Sequence, residues 1–208
     1  MNLLEIFLRT QNIEYVHEGR RFKVGYHIEV MGDTLLIDFK WTDSIWKWFL
    51  NFMFWKRPYR DMKVRWRVHS GFLRSWRIVK PHVAKAIENE EIKKVRVVGY
   101  SHGGALAMLC HEFVGFHRPD VVLEGFAFGA PKVLSRFSNR TVIEERWRTF
   151  QVLNVRRDIV GKVPPFFFRH VGTLTRLEGN VRGRFDSHSH RVYRDALREM
   201  FEEEENAG

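Results

Sequence analysis

Gly99-Tyr100-Ser101-His102-Gly103 decides the reading of this chain. The residues before it, Lys94 to Tyr100, carry Val95, Val97 and Val98 and predict a buried strand. The residues after it, His102 to Phe116, are rich in Ala, Leu, Met and Gly and predict a buried helix. A serine with glycines two before and two after, at a strand-to-helix junction, describes a strained turn that thrusts one hydroxyl outward. The helix N-terminus behind it favours developing negative charge. The bare pattern would arise in about 4% of chains of this composition, so its context carries the weight. Gly104-Ala105-Leu106-Ala107 supplies that context, because small side chains let a helix lie close to a sheet.

A serine nucleophile needs a base, and the base needs an orienting carboxylate. On a strand–turn–helix scaffold of this kind both come later in the chain, the acid before the histidine. Asp158 follows a strand over Phe150 to Val155, in Asn154-Val155-Arg156-Arg157-Asp158. The histidines after it are His170, His188 and His190. His170 opens a strand running to Leu177 and reads as structural. His188 and His190 flank the entry to a closing helix, His190 to Glu204.

Outward from the turn, strands are expected over Arg20 to Val30 and Thr34 to Phe39, joined at Met31-Gly32-Asp33 as a hairpin. Val64 to Val68 alternates with period two, and Val121 to Phe128 predicts another strand. Helices are expected over Phe72 to Asn89, with a kink at Pro81, and over Ser135 to Arg148. Strands alternating with helices predict an α/β architecture: a mostly parallel central sheet, helices on both faces, and an N-terminal antiparallel hairpin. No repeat or linker divides residues 1–208, so one domain is expected.

Composition narrows the function classes. Apolar residues make up 44% of the 208, which excludes a disordered chain. Thirty-five basic against 25 acidic residues give a net charge of +10, which attracts anions of any kind. Nucleic acid is not expected as a partner, because no reader motif accompanies the charge. Cys110 is the one cysteine, which excludes an internal disulfide and a multi-cysteine zinc site. His17, His27, His69, His82, His111 and His117 are scattered without metal-ligand spacing, so no metal is expected. No apolar run approaches membrane-spanning length. Met1 to Thr10 lacks a basic segment and a cleavage site, which predicts a cytoplasmic protein, with peripheral membrane contact.

Four blocks resemble the class 3 (fungal-type) lipases of the α/β-hydrolase fold. They are Val68-His69-Ser70-Gly71-Phe72, the turn Gly99 to Ala107, Phe128-Gly129-Ala130-Pro131-Lys132-Val133, and Asn154 to Asp158 running on to Val163-Pro164-Pro165. The resemblance implies a serine hydrolase of lipid esters, acylglycerol or phospholipid, that needs no cofactor. It implies Ser101 as nucleophile, Asp158 as the orienting acid, and a histidine entering the last helix. His188-Ser189-His190-Arg191-Val192-Tyr193 fits one form of that motif and favours His188; another form selects His190. Phe39-Lys40-Trp41-Thr42 matches the family's oxyanion loop except that Trp41 stands where the family has glycine. By resemblance the backbone N–H groups of Thr42 and His102 form the oxyanion hole.

Ile45 to Trp55 holds six aromatic residues, with Lys47 and Asn51 as its only polar members. In the family this place is the lid, so Ile45, Trp46, Trp48, Phe49 and Phe52 read as interfacial residues; a fixed core helix is the alternative. Lys56 to Lys80 follows with nine Lys or Arg and one Asp. That run is either a solvated face or a dock for anionic phospholipid. Two other functions stay open: an esterase for short soluble esters, and a non-catalytic membrane or host-interaction protein on a hydrolase scaffold. Oligomeric state is not legible.

Overall fold

The computed structural model describes residues 2–19, 23–40, 55–59, 66–135, 145–180 and 186–207. Its centre is a sheet of seven strands: β1 (Val16–Glu18), β2 (Val24–Met31), β3 (Thr34–Phe39), β6 (Lys94–Tyr100), β7 (Val122–Phe128), β9 (Phe150–Val155) and β11 (Thr173–Leu177), in that spatial order. From β3 onward every neighbour is parallel. β2 and β3 form the expected antiparallel hairpin, closed at Gly32-Asp33, with Gly32 at φ 60°. A second, antiparallel sheet takes β4 (Lys56–Tyr59), β5 (Trp66–His69), β8 (Leu134–Ser135) and β10 (Phe168–Arg169), in the order β10-β8-β5-β4.

The pleat explains how the central strands serve two cores. On β6, Val95 and Val97 enter one apolar cluster while Val98 and Tyr100 enter the other. β7 and β9 alternate in step: Ala127 and Val152 join the first cluster, Phe126, Phe128, Leu153 and Val155 the second. The first is covered by helices α2 (Ser70–Ala86) and α3 (His102–His117), the second by α1 (Leu3–Asn12) and α4 (His190–Ala207). Trp76 of α2 is wholly buried, and truncating a core aromatic of that size costs about 3–5 kcal/mol.

The departures from expectation have local causes. α1 was not expected, although Asn2-x-x-Glu5 is a capping box: each residue's side chain accepts from the other's backbone N–H at 2.8 Å. β4 was missed because Pro58 argues against a strand, yet β4 lies at a sheet edge, where proline is tolerated. The helix expected from Ser135 begins instead as strand: Leu134 and Ser135 pair with Arg169 and Phe168, and 136–144 lie outside the described residues. The strand expected from His170 starts at Thr173, because Gly172 turns the chain at φ 71°. Pro81 sits inside α2 without ending it. Residues 20–22 and 64–65 of the expected strands lie outside the described residues.

Candidate active site

The parallel strands deliver their C-terminal ends to one edge of the sheet, and the candidate residues collect there. Ser101 caps α3 at φ 58° and ψ −120°, a conformation that L-residues adopt only under constraint. Its backbone N–H donates to the Phe128 carbonyl at 2.8 Å, which ties the bend to β7. The flanking glycines are required by space. A Cβ on Gly99 would meet the Gly103 carbonyl oxygen at 2.2 Å, and one on Gly103 would meet that of Phe39 at 2.2 Å.

Asp158 sits three residues past β9 and is fully buried. Its Oδ1 accepts from the Val160 backbone N–H at 2.8 Å. Its Oδ2 accepts from Nδ1 of His188 at 2.6 Å. That places the neutral imidazole's proton on Nδ1 and leaves Nε2 as acceptor for the Ser101 hydroxyl, 2.8 Å away. His188 ends a short 3-10 turn, Asp186–His188, just before α4. The three side chains predicted from sequence are thus joined by two hydrogen bonds, across 30 and 87 residues of chain.

His190 goes elsewhere. Its ring packs on Tyr100, 4.3 Å between centroids, and on Phe7 at 6.0 Å. Burial, with His188 adding to it, pushes its pKa down to about 4. His170 Nε2 donates to the Gly161 carbonyl at 2.7 Å. The His102 side chain lies beside the Ser75 hydroxyl at 3.2 Å, and burial pushes its pKa down to about 4. Its backbone N–H opens α3 directly after the nucleophile position. Thr42 and the expected interfacial residues Ile45, Trp46, Trp48, Phe49 and Phe52 lie outside the described residues, so the expected oxyanion loop and lid are not described.

Two tyrosines complete the site, and the sequence reading gave neither a role. Tyr193, on the first turns of α4, donates its hydroxyl to Asp158 Oδ2 at 2.6 Å and accepts from the Val155 N–H at 3.1 Å. Burial and the nearby Asp158 carboxylate raise its pKa well above the ordinary tyrosine range, so it remains a donor. Tyr100 stacks on the His188 ring. The spacing from His188 to Tyr193 was the available signal for the first, and the pleat position before Ser101 for the second. Asn154 anchors the loop that covers them: its side chain accepts from Ala130 N–H at 2.9 Å and donates to the Ala130 carbonyl at 3.3 Å. Beside it, Gly129 at φ 57° lies over the imidazole, where a Cβ would stand 3.0 Å from His188 Cε1.

A sequence model of the family described as lipase (class 3) matches residues 36–168, well over half the chain. The chain belongs to the class 3 lipase family. It is 25% identical over 152 residues to the secreted mono- and diacylglycerol lipase 1 of Fusarium solani, covering 70% of this chain and 44% of that one. It therefore spans less than half the length of the curated relative it matches. Among solved structures, lipase II from Rhizopus niveus is 26% identical, with a TM-score of 0.63 over 80% of this chain and 63% of the other. A triacylglycerol lipase whose catalytic centre is formed by a serine protease triad is likewise 26% identical, with a TM-score of 0.63 over 74% and 62% of the two chains. These establish the α/β-hydrolase fold.

The cytoplasmic expectation is corrected by the same comparison, because the Fusarium relative is a secreted enzyme. The stretch on which that expectation rested is part of the folded body. Phe7 of α1 packs against Phe128 at 5.0 Å and Tyr193 at 6.0 Å, so the composition of Met1 to Thr10 reports packing and not export.

Proposed function

We propose that this lipase-family protein, acting as one domain, hydrolyses carboxylic ester bonds of lipids through an acyl-enzyme. The observation that carries the reading is the chain of contacts from Ser101 Oγ to His188 Nε2 at 2.8 Å and from His188 Nδ1 to Asp158 Oδ2 at 2.6 Å. In this reading His188 takes the Ser101 proton as the oxygen attacks the ester carbonyl. Asp158 holds the imidazole in the productive tautomer and offsets its charge once it is protonated. The carbonyl oxygen, gaining charge, accepts hydrogen bonds from the backbone N–H groups of His102 and Thr42. The imidazolium then protonates the departing alcohol. Water repeats the sequence against the acyl-serine, with His188 as base again, and releases the acid. Every atom is supplied by ester, water and side chains, so no cofactor enters.

Mono- and diacylglycerols are the proposed substrates, after the Fusarium relative. Ile45, Trp46, Trp48, Phe49 and Phe52 are proposed to cover the site and open at a lipid surface. The test is labelling with a fluorophosphonate probe followed by turnover on a glyceride panel. Covalent labelling at Ser101, lost in folded Ser101→Ala, together with diglyceride turnover that jumps above the micellar threshold, is the expected result. A folded protein that neither labels nor turns over any ester would overturn the reading.

A further inference from the structure

One surface feature is not absorbed by the catalytic reading. Ser70, Leu73, Arg74 and Arg77 lie on one face of α2, at the i, i+3, i+4, i+7 spacing. Opposite them stand Arg57 and Pro58 of β4, and the six residues line an open cavity of about 410 Å³. The Ser70 backbone N–H donates to the Trp55 carbonyl at 2.9 Å, which fixes the start of α2 to the head of β4. Three arginines thus line one concavity at a helix's N-terminal half. Among the described residues no carboxylate pairs with Arg57 or Arg77. Guanidinium forks match the oxygens of a phosphate, two per side chain.

An apolar strip adjoins this groove. Trp55 is 73% exposed, Phe166 77% and Phe167 55%, values far outside the ordinary range for aromatic side chains. Lys56 joins them, its ammonium lying 4.7 Å from the centre of the Phe167 ring. Phe166 holds φ at 62°, an unfavourable backbone state that keeps a phenyl ring in solvent. Pro165 and Phe166 continue the segment that follows Asp158.

We propose that Arg57 and Arg77 of this groove dock the phosphates of an anionic phospholipid surface while Trp55, Phe166 and Phe167 enter its interfacial layer. The division of labour follows from chemistry. Cations hold the anionic headgroup plane, and the indole of Trp55 and the phenyl rings of Phe166 and Phe167 occupy the layer just beneath it. A nucleic acid duplex would use the arginines but leave the exposed phenyl rings in water. This deepens the lipid-ester reading and rests on it for its purpose: the enzyme would be held at the surface where its substrate is dispersed.

The test measures vesicle binding separately from hydrolysis, using full-length Ser101→Ala protein so that the vesicles stay intact. Co-sedimentation is run with phosphatidylcholine vesicles and with equimolar phosphatidylcholine and phosphatidylglycerol. A basic residue near an anionic surface strengthens binding about fivefold, so removing two should weaken it about 25-fold. The expected result is a strong preference for the anionic vesicles, lost about 25-fold in Arg57→Ala with Arg77→Ala and only partly recovered when both become lysine, which keeps the charge but not the two-oxygen fork. Trp55→Ala with Phe166→Ala should weaken binding to the same vesicles at high salt, where the electrostatic part is screened. On an otherwise wild-type background, turnover of a short soluble ester should stay unchanged in the arginine variants, which also reports that they fold. Equal binding to both vesicle types, undiminished binding in the double alanine variant, or tighter binding to a DNA oligonucleotide would each overturn the dock. Loss of soluble-ester turnover in wild type would overturn the hydrolase reading and leave the vesicle result standing.

Discussion

The Tyr100 ring lies over the His188 imidazole, 5.1 Å between centroids and 16° from parallel, and its hydroxyl donates to the His188 carbonyl at 2.6 Å. The residue before the nucleophile therefore holds the proposed base at two points, its ring and its backbone. On the other side of Tyr100 stands Phe7, 5.7 Å away, so α1 supports the histidine through one intermediate.

That arrangement separates two variants. Tyr100→Phe keeps the stack and loses one hydrogen bond, a change of about 1 kcal/mol, or about fivefold in kcat. Tyr100→Ala loses both and lets the imidazole wander, for which about 100-fold is expected. Steady-state kinetics on a soluble ester would check the order. Equal losses in the two variants would mean that the stack contributes nothing.

The two histidines of His188-Ser189-His190 should part by orders of magnitude. His188→Ala removes the group 2.8 Å from Ser101 Oγ and should cost about 10⁴-fold in kcat. His190→Ala removes a ring that packs on Tyr100 and should cost about tenfold or less through looser packing. Comparable losses in the two variants would contradict the assignment of the base to His188.

How much of this was legible in the sequence depended on what each residue had to satisfy. The strands Lys94–Tyr100 and Phe150–Val155 were readable to the residue, because Val95, Val97 and Val98 in the one, and Val152, Leu153 and Val155 in the other, gather the branched apolar residues that a strand covered on both faces demands. Ser101 and Asp158 were readable because their turns have fixed chemistry. Tyr100 and Tyr193 were not, because an aromatic side chain fits a core as well as a site and only the pairing across 88 residues reveals its use. β4 and β8 were not, because Pro58 argues against a strand in the first and two residues carry no periodicity in the second.

The glycines of the bend make a graded stability prediction. Gly103→Ala would set a methyl 2.2 Å from the Phe39 carbonyl oxygen, against backbone that cannot yield cheaply. A loss of about 3 kcal/mol or more is expected, and urea unfolding would measure it. Gly32→Ala is the control: nothing lies within 4 Å, and only its φ of +60° opposes a side chain. That strain alone should cost about 1–2 kcal/mol. If the control variant lost more than Gly103→Ala, the close approach of α3 to β3 would be in error.

Buried histidines set the response to acid. Burial pushes His102 from 6.5 to about 4, with His69 adding to it, and pushes His111 from 6.5 to about 3, with Arg146 adding to it. A base whose folded pKa is depressed contributes its stability fully above 6.5, and that stability is lost as pH falls through the folded value. At about 1.4 kcal/mol per unit, the shift at His102 alone is worth about 3 kcal/mol. Glu112 works in the opposite sense. Burial raises it from 4.5 to about 7 against the pull of Arg146, so its contribution is full below 4.5 and is lost as pH rises through about 7. His69, His170 and His190, each pushed down to about 4 chiefly by burial, join the other two histidines, and these five bases outweigh Glu112 and Asp38, whose carboxyl burial also raises. The melting temperature should therefore fall steeply between pH 6.5 and pH 4, the interval these shifts define. Thermal melts across that interval would check it, and His111→Gln should flatten the slope by removing one titrating group. A melting temperature that holds constant down to pH 4 would mean that these rings are not kept neutral by burial.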